Sequence, residues 1–289
     1  MTEKIKNNDE NYKISVVMSV YKNDIPENFK IAVDSMLNQT YKPSEIVLVI
    51  DGPVPEGTEK LLKEYEKDKL FNVIRFEQNK GLGIALQTGC ENAKYPIIAR
   101  MDSDDIAYPT RFEKQINYLK ENPSCDAVGT FGVEFIDNPE NTFANKIMPV
   151  TDEEIKKYLK KRNPFNHMTM TMKKDMVMKS GNYQDWYFAE DYYMWLRMYL
   201  NGANFYNIPE VLASVRINED TFARRHGMKY FKSIKGLFKF MRKNKIIGFF
   251  SYIKNVLIRF AGHVLVPRKL KKKMYAKFLR KSAETTQNK

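Results

Sequence analysis

The stretch Ile-Ile-Ala-Arg-Met-Asp-Ser-Asp-Asp, residues 97–105, joins an apolar run to a cluster of carboxylates. Its apolar part, residues 97–101, predicts a buried strand, and three acidic side chains follow at once: Asp102, Asp104 and Asp105. In an open α/β sheet, polar groups at the carboxyl end of a strand lie where such sheets bind ligands. Carboxylates this close repel one another unless a cation lies between them, and a hard divalent ion keeps coordination positions open for phosphate oxygens. The stretch therefore predicts a metal site that holds a diphosphate.

Strand and helix patterns alternate on both sides of this stretch. Apolar runs predict strands at residues 13–20, 45–50, 72–76, 95–101, 127–136 and 169–172. Spaced apolar residues predict helices at 31–37, 58–69, 81–90, 109–119 and 190–200, and one more that opens with a capping-box pattern at Thr151 and Glu154. This alternation predicts an α/β fold with a mostly parallel sheet and right-handed crossovers.

The composition narrows the class of protein. The chain has 289 residues, of which 43% are hydrophobic, so it can bury a sizeable core and is long enough for one large domain with an appendage. Its two cysteines, Cys90 and Cys125, form no CxxC pair, which argues against a zinc site or a disulfide framework and favours a reducing cytoplasm. No secretory signal is visible, and no uncharged apolar run reaches the roughly 18 residues of a membrane-spanning helix.

Positive charge is concentrated in the C-terminal part. Residues 222–289 contain 20 Lys and Arg and one acidic residue, whereas the other 221 residues contain 28 Lys and Arg and 34 Asp and Glu. Within 229–281, the cations alternate with apolar residues, which predicts amphipathic helices lying on an anionic membrane surface. A helical cap that buries its apolar face on the main domain is the alternative. Nucleic acid is not an expected partner, because no nucleic-acid-binding fold is recognisable.

Six blocks of sequence resemble the family 2 glycosyltransferases, which have the GT-A fold. In order along the chain they are residues 15–21, 35–41, 45–52, 79–89, 99–105 and 190–197. The segment 224–233 is similar to the group of amylovoran and capsule-building transferases. The resemblance implies a Rossmann-like, mostly parallel GT-A domain at 13–226, after a flexible terminus at 1–12 and before a basic amphipathic helical tail at 227–289.

The resemblance also implies a binding site for a nucleotide-sugar donor. Tyr21 and Asp51 match positions that hold the uracil and ribose, and Lys80 lies in a further matching block. An aromatic ring suits a base and a carboxylate suits a ribose hydroxyl. The alternative for Asp51 is a role in the turn that it forms with Gly52.

Asp102-Ser103-Asp104 matches the DxD motif of the family. By resemblance, Asp104 binds Mn²⁺ or Mg²⁺, Asp102 contacts the ribose or assists the metal, and Ser103 belongs to the donor site. The ion would neutralise charge on a departing UDP. The alternative is that these acidic residues cap the following helix, a role that fits Asp105 best.

Five further residues complete the implied site. Asp191 matches the general base that takes the proton from an acceptor hydroxyl, and Glu190 is its neighbour on the acceptor side; both also suit the first turn of a helix. His167 matches a position near the acceptor, or near the metal, and is otherwise a structural histidine. Arg224 and Arg225 match a loop over the pyrophosphate, with a solvated basic loop as the alternative.

One position departs from the family pattern. Many family 2 enzymes have a histidine metal ligand where this chain has Asn218, and the nearby His226 does not match the spacing. A third protein ligand for the metal is therefore not predicted.

Together these features predict an inverting, metal-dependent hexosyltransferase. The expected donor is a UDP-hexose or UDP-N-acetylhexosamine, and the expected acceptor is a lipid-linked glycan of a capsule, exopolysaccharide or O-antigen, reached from the cytoplasmic face of the membrane. The alternatives are a non-catalytic nucleotide- or membrane-binding module, against which Asp191 speaks, and a nucleotidyltransferase. The latter would carry a glycine-rich basic loop after the first strand, which residues 19–24 lack.

Overall fold

A computed structural model describes residues 10–217 and 225–266. The strands of this part are β1 Ile14–Val20, β2 Glu45–Ile50, β3 Phe71–Arg75, β4 Ile97–Arg100, β5 Ile106–Ala107, β6 Ala127–Phe135, β7 Thr142–Lys146, β8 Thr171–Lys173 and β9 Phe205–Arg216. Its α-helices are α1 Pro26–Leu37, α2 Glu56–Tyr65, α3 Leu82–Asn92, α4 Arg111–Glu121, α5 Asp152–Leu159, α6 Lys174–Lys179, α7 Glu190–Leu200, α8 Gly227–Lys243 and α9 Phe249–Phe260. A 3₁₀ turn covers His167–Thr169, and a π-helical turn covers Ala261–Leu265.

These strands form a single mixed sheet, ordered β3-β2-β1-β4-β8-β6-β9-β5, with β7 paired to β6. The first four positions are parallel, as the alternating pattern predicts, whereas β8 pairs antiparallel with both β4 and β6. Parallel pairing brings the carboxyl ends of β1, β2 and β4 to one edge. That edge is where Tyr21, Asp51 and the 102–105 carboxylates follow their strands.

Helices cover both faces of the sheet, so the central strands are buried on both sides. On one face, β1 contributes Val16 and Met18 to a cluster with α1, α2 and α4. On the other, Val17 joins a larger cluster with α3, α7 and α8 that contains Trp195. This explains why β1, β2 and β4 are continuous apolar runs, a pattern typical of doubly covered parallel strands.

The helix α5 shows the predicted capping box. The Thr151 hydroxyl accepts a hydrogen bond from the Glu154 backbone N–H, and the Glu154 carboxylate accepts one from the Thr151 N–H. The box fixes the start of a helix that packs against β9 and α7.

The basic C-terminal region is divided into two different parts. Helix α8 buries Ile234, Leu237, Phe238 and Met241 in the larger core cluster, as in the helical-cap alternative. Helix α9 has no buried residue. In the described part of the chain, no helix combines the length and the apolar character needed to cross a membrane. Residues 1–9 of the predicted flexible terminus and 267–289 of the predicted tail lie outside the described residues.

Candidate active site

A buried arginine underlies the acidic loop after β4. Arg100 is 1% exposed, and its guanidinium donates hydrogen bonds to the Met101 carbonyl and the Asp102 carboxylate. Burial alone would raise the pKa of Asp102, but the Arg100 charge, with help from His167 and Arg225, brings that pKa below its ordinary value. Asp102 is therefore held ionised, with one oxygen directed to Arg100.

Asp104 lies in a field of negative charge. Burial, together with the charges of Asp102 and Asp24, raises the pKa of Asp104 to about 7, and the nearby Arg216 only partly opposes this shift. The backbone carbonyl of Asp104 accepts a hydrogen bond from Arg216 Nε at 3.1 Å. Asp104 thus presents a carboxylate that a cation would stabilise in its charged form.

Asp105 ties the loop to the sheet. Its Oδ1 accepts the Arg216 backbone N–H at 2.7 Å. Burial and the charges of Asp104 and Asp102 raise its pKa well above the ordinary value. The expectation that Asp105 caps the next helix is wrong, because α4 begins only at Arg111 and has no side-chain cap.

Asp24 joins the first strand's loop to the acidic loop, a contact that the sequence did not indicate. Its Oδ2 accepts the Tyr21 backbone N–H and the Ser103 hydroxyl, both at 2.9 Å. The Tyr21 side chain is half-buried at this edge, and Ser103 is 8% exposed. One carboxylate thus fixes the relative position of two predicted donor-site residues.

Asp51 holds the loop that opens α3. Its carboxylate accepts hydrogen bonds from Asn79 Nδ2 at 2.8 Å, Lys80 N at 2.6 Å and Gly81 N at 3.0 Å. Close packing favours this loop, because a Cβ at Gly52 (φ +85°) would lie 2.6 Å from Asn79 N. The turn role considered for Asp51 is therefore present, and contact with a nucleoside stays a prediction. The exposed Lys80 places its Nζ 4.4 Å from the Phe76 ring centroid, a cation–π contact.

Asp191 is oriented by two donors at the first turn of α7. Its Oδ2 accepts from Asn163 Nδ2 at 2.5 Å, and its Oδ1 accepts from the Tyr192 backbone N–H at 2.6 Å. No sequence pattern predicted a site role for Asn163, which lies in the loop after α5. Both oxygens are fixed in direction while retaining further lone pairs for a proton.

Loss of the Asn163 amide should disorient Asp191. We expect Asn163→Ala to lower kcat by about 10- to 100-fold with little change in donor KM, because a displaced base affects the reacting geometry more than donor binding. Steady-state kinetics with a saturating acceptor would measure this. Asn92→Ala, which removes an exposed asparagine on α3, should leave both constants unchanged. A rise in donor KM at constant kcat would assign Asn163 to donor binding instead.

Glu190 directly precedes Asp191 and has a shifted pKa. Burial and the charge of Asp191 raise the pKa of Glu190 to about 8. Glu190 is therefore mostly protonated near neutral pH, and the neighbouring Asp191 carboxylate accepts two hydrogen bonds.

His167 connects the two halves of the site. Its Nε2 lies 2.9 Å from the Tyr183 hydroxyl. Burial, followed by the charge of Arg100, lowers the pKa of His167 to about 4, against the opposing charges of Asp191 and Asp102. The charges of both carboxylates act on this imidazole, so His167 lies near the acidic loop and near the start of α7.

The predicted arginine loop is only partly described. Arg225 is exposed, its charge helps to lower the pKa of Asp102 and His167, and its backbone carbonyl lies 3.2 Å from His263 Nδ1. Arg225 therefore lies near Asp102 and His167. Arg224 and Asn218 lie outside the described residues.

A protein-family model describes most of this domain. The Glycosyl transferase family 2 model matches residues 15–181, which include the acidic loop and the Asp51 turn. The chain belongs to glycosyltransferase family 2. Membership confirms the resemblance noted in the six sequence blocks, and it makes this protein a glycosyltransferase rather than a nucleotidyltransferase.

Two relatives align with the transferase over nearly their whole length. The amylovoran biosynthesis glycosyltransferase AmsE of Erwinia amylovora is 36% identical over 91% of this chain and 98% of its own. The UDP-Gal:α-D-GlcNAc-diphosphoundecaprenol β-1,3-galactosyltransferase of Escherichia coli is 32% identical over 94% of this chain and 98% of its own.

Solved structures show the same fold. Staphylococcus aureus TarS 1–349 in complex with UDP-GlcNAc has a TM-score of 0.65 at 15% identity, over 87% of this chain and 73% of its own. The mannosyltransferase PcManGT of Pyrobaculum calidifontis, in complex with GDP-Man and Mn²⁺, has a TM-score of 0.57 at 15% identity, over 92% of this chain and 80% of its own. These likenesses confirm the GT-A class for the transferase.

The carboxylates of the transferase fit a divalent ion that shares its coordination with substrate. Within 10–217 and 225–266, no three His, Cys, Asp or Glu side chains are grouped closely enough to hold a metal ion. A Mg²⁺-type site needs only one or two protein carboxylates when phosphate and water oxygens supply the rest. Burial and the charges of Asp102 and Asp24 together raise the pKa of Asp104, and this unfavourable environment for a lone carboxylate favours a cation at this loop.

Proposed function

We propose that this glycosyltransferase moves a hexose or N-acetylhexosamine from a UDP-sugar to a lipid-linked glycan by a single inverting displacement. The observation that supports this most directly is the electrostatic environment of His167. Three segments of the chain, which carry Arg100 with Asp102, Asp191, and Arg225, all act electrostatically on this one imidazole. A base, an acidic diphosphate site and cations therefore surround one cleft.

Asp191 acts as the general base in this proposal. Its carboxylate takes the proton from an acceptor hydroxyl as that oxygen attacks the anomeric carbon, and the bond from that carbon to the UDP oxygen breaks. Asn163 and the Tyr192 N–H hold the carboxylate in one orientation. Direct displacement by one base, without a second carboxylate as nucleophile, inverts the anomeric centre.

Donor binding involves the edge formed by β1, β2 and β4. Tyr21 and Asp51 line the nucleoside end, with Asp51 also acting through the loop that contains Lys80. Asp104, with Asp102, would hold Mn²⁺ or Mg²⁺, which supplies Lewis-acid stabilisation of charge on the departing UDP. Arg224 and Arg225 supply guanidinium groups suited to the pyrophosphate.

The acceptor is the part of the proposal that depends most on relatives. The E. coli relative is named for a diphosphoundecaprenol-linked acceptor and a UDP-galactose donor. A comparable lipid-linked acceptor for this transferase fits its basic C-terminal region and a position on the cytoplasmic surface of an anionic membrane. Glu190 and His167 lie on the acceptor side of the cleft.

Transfer of radiolabel to lipid would test this function. Purified transferase is incubated with Mn²⁺, a bacterial lipid extract and each of several labelled UDP-hexoses and UDP-N-acetylhexosamines. Label from one donor should enter the organic phase as a lipid-linked product. The anomeric configuration of its new linkage should be opposite to that of the UDP-sugar donor. Retained configuration would contradict the single displacement, and product confined to the aqueous phase would contradict the lipid acceptor.

A further inference from the structure

Helix α9 exposes a row of large apolar side chains. Phe249 is 56% exposed, Phe250 87%, Ile253 39% and Leu257 61%. Their spacing of one, four and eight residues places them on one side of an α-helix. No other helix in the described part of the chain exposes so many large apolar residues.

An adjoining side of α9 attaches to the catalytic domain. Tyr252 and Val256 pack against the larger core cluster, and the Phe260 ring meets Phe231 edge to face at 5.2 Å. Arg259 Nη2 donates to the Lys161 carbonyl at 2.7 Å. The outward direction of the apolar row is therefore set by contacts on the inward side.

Cations surround this apolar row. Residues 227–266 contain no Asp or Glu. The exposed cations on α8, on α9 and between them are Lys229, Lys232, Lys235, Lys239, Arg242, Lys243, Lys245 and Lys254. A membrane-surface helix is typically apolar on one face, with Phe and Leu, and rich in Lys and Arg around it.

We propose that the outward face of α9 enters the headgroup region of an anionic lipid bilayer. The apolar row, here named the docking face, comprises Phe249, Phe250, Ile253 and Leu257. Negative headgroups match the uniformly positive surroundings, whereas a second copy of this chain would bring two positively charged rims together. The inference deepens the proposed function, on which it rests for the lipid-linked acceptor, by assigning membrane contact to one helix of the basic region.

A short series of contacts links the helix that carries the docking face to the catalytic cleft. Lys161, which accepts from Arg259, is two residues from Asn163, the partner of Asp191. The π-helical turn after α9 places His263 against the Arg225 carbonyl. Membrane contact through α9 would therefore hold the acceptor side of the cleft at the lipid surface.

Substitution on the docking face tests this inference better than deletion, because α8 is part of the core. The full-length variant Phe249→Ser/Phe250→Ser/Leu257→Ser should bind vesicles of phosphatidylglycerol and phosphatidylethanolamine about tenfold or more weakly than wild type in co-sedimentation. The matched variant Ile25→Ser/Ile136→Ser/Ile147→Ser removes three apolar residues that are 55%, 53% and 68% exposed elsewhere, and should bind like wild type. Vesicles of phosphatidylcholine should bind wild type weakly.

Three results would overturn the inference: equal binding by the α9 variant and wild type, no binding of wild type to anionic vesicles, or a wild-type dimer that the α9 variant dissociates. Unchanged circular dichroism and UDP affinity would show that the variant is folded. Because vesicle binding needs no sugar nucleotide, failure of the transfer reaction would leave this result unaffected and separately interpretable.

Discussion

Replacing Asp191 with asparagine is expected to lower kcat by about 10²- to 10⁴-fold, the usual contribution of a positioned general base. Asparagine has nearly the same shape, and its single side-chain oxygen can keep one of the two hydrogen bonds from Asn163 and the Tyr192 N–H, but it cannot take the proton of the acceptor hydroxyl. UDP affinity should be nearly unchanged, because the base contacts the acceptor side. Transfer rates measured with saturating donor and acceptor, together with calorimetry of UDP binding, would separate the two quantities.

A control for the Asp191 experiment is Asp175→Asn. Asp175 is an exposed acid in the first turn of α6, so its substitution removes a similar helix-terminal charge without touching the cleft. Activity near wild type is expected for the control. Loss of UDP binding in Asp191→Asn, or substantial transfer by it, would contradict its assignment as the base.

The second large effect is expected from Asp104→Ala. Removal of the carboxylate should weaken Mn²⁺-dependent UDP binding by about 100-fold or more, since a bridging ion contributes several kcal/mol and each 1.4 kcal/mol is about tenfold. Titration calorimetry of UDP with and without Mn²⁺ would measure the loss. The variant should bind UDP equally in both conditions.

Asp137→Ala serves as the matched control for Asp104. Asp137 is an exposed acid just after β6, and its backbone carbonyl, which alanine retains, accepts a hydrogen bond from Arg216 Nη1. Its UDP affinity should keep the full Mn²⁺ dependence. If Asp104→Ala also keeps that dependence, the metal is held elsewhere and the DxD assignment is wrong.

Sequence patterns predicted the first half of the fold well because its strands are buried on both faces. β1, β2 and β4 are uninterrupted apolar runs, and apolar periodicity is most informative in such strands. The long strand β9 was missed because Asn207, Pro209 and Glu210 interrupt its pattern. Pro209 and Glu210 coincide with a register shift in its pairing with β6, where an irregularity tolerates them.

Site residues in sequence blocks at strand or helix ends were predictable. Residues that reach the site from separate loops were not. Asp102, Asp104 and Asp191 lie in recognisable blocks. Asp24 and Asn163 act on them from loops, and nothing in the spacing of single Asx residues indicates their partners. Asp105 illustrates the same limit, since its partner Arg216 is 111 residues away.

The basic C-terminal region shows what apolar periodicity cannot predict. α8 and α9 are both amphipathic and basic, so the sequence favoured the same role for both. Only tertiary packing distinguishes them: Leu237 and Phe238 of α8 are fully buried, whereas Phe250 of α9 is 87% exposed. Amphipathicity predicts an apolar face, but it does not specify whether protein or lipid covers that face.

The central claim is that the acidic loop binds a metal and a UDP-sugar for transfer, and UDP release tests it most directly. Wild type and Asp104→Ala would be assayed with Mn²⁺ across a panel of UDP-sugars in the presence of lipid extract. We predict metal-dependent release of UDP from one sugar by wild type and none by the variant. Absence of release from every sugar, combined with no Mn²⁺-dependent UDP binding in calorimetry, would contradict the account.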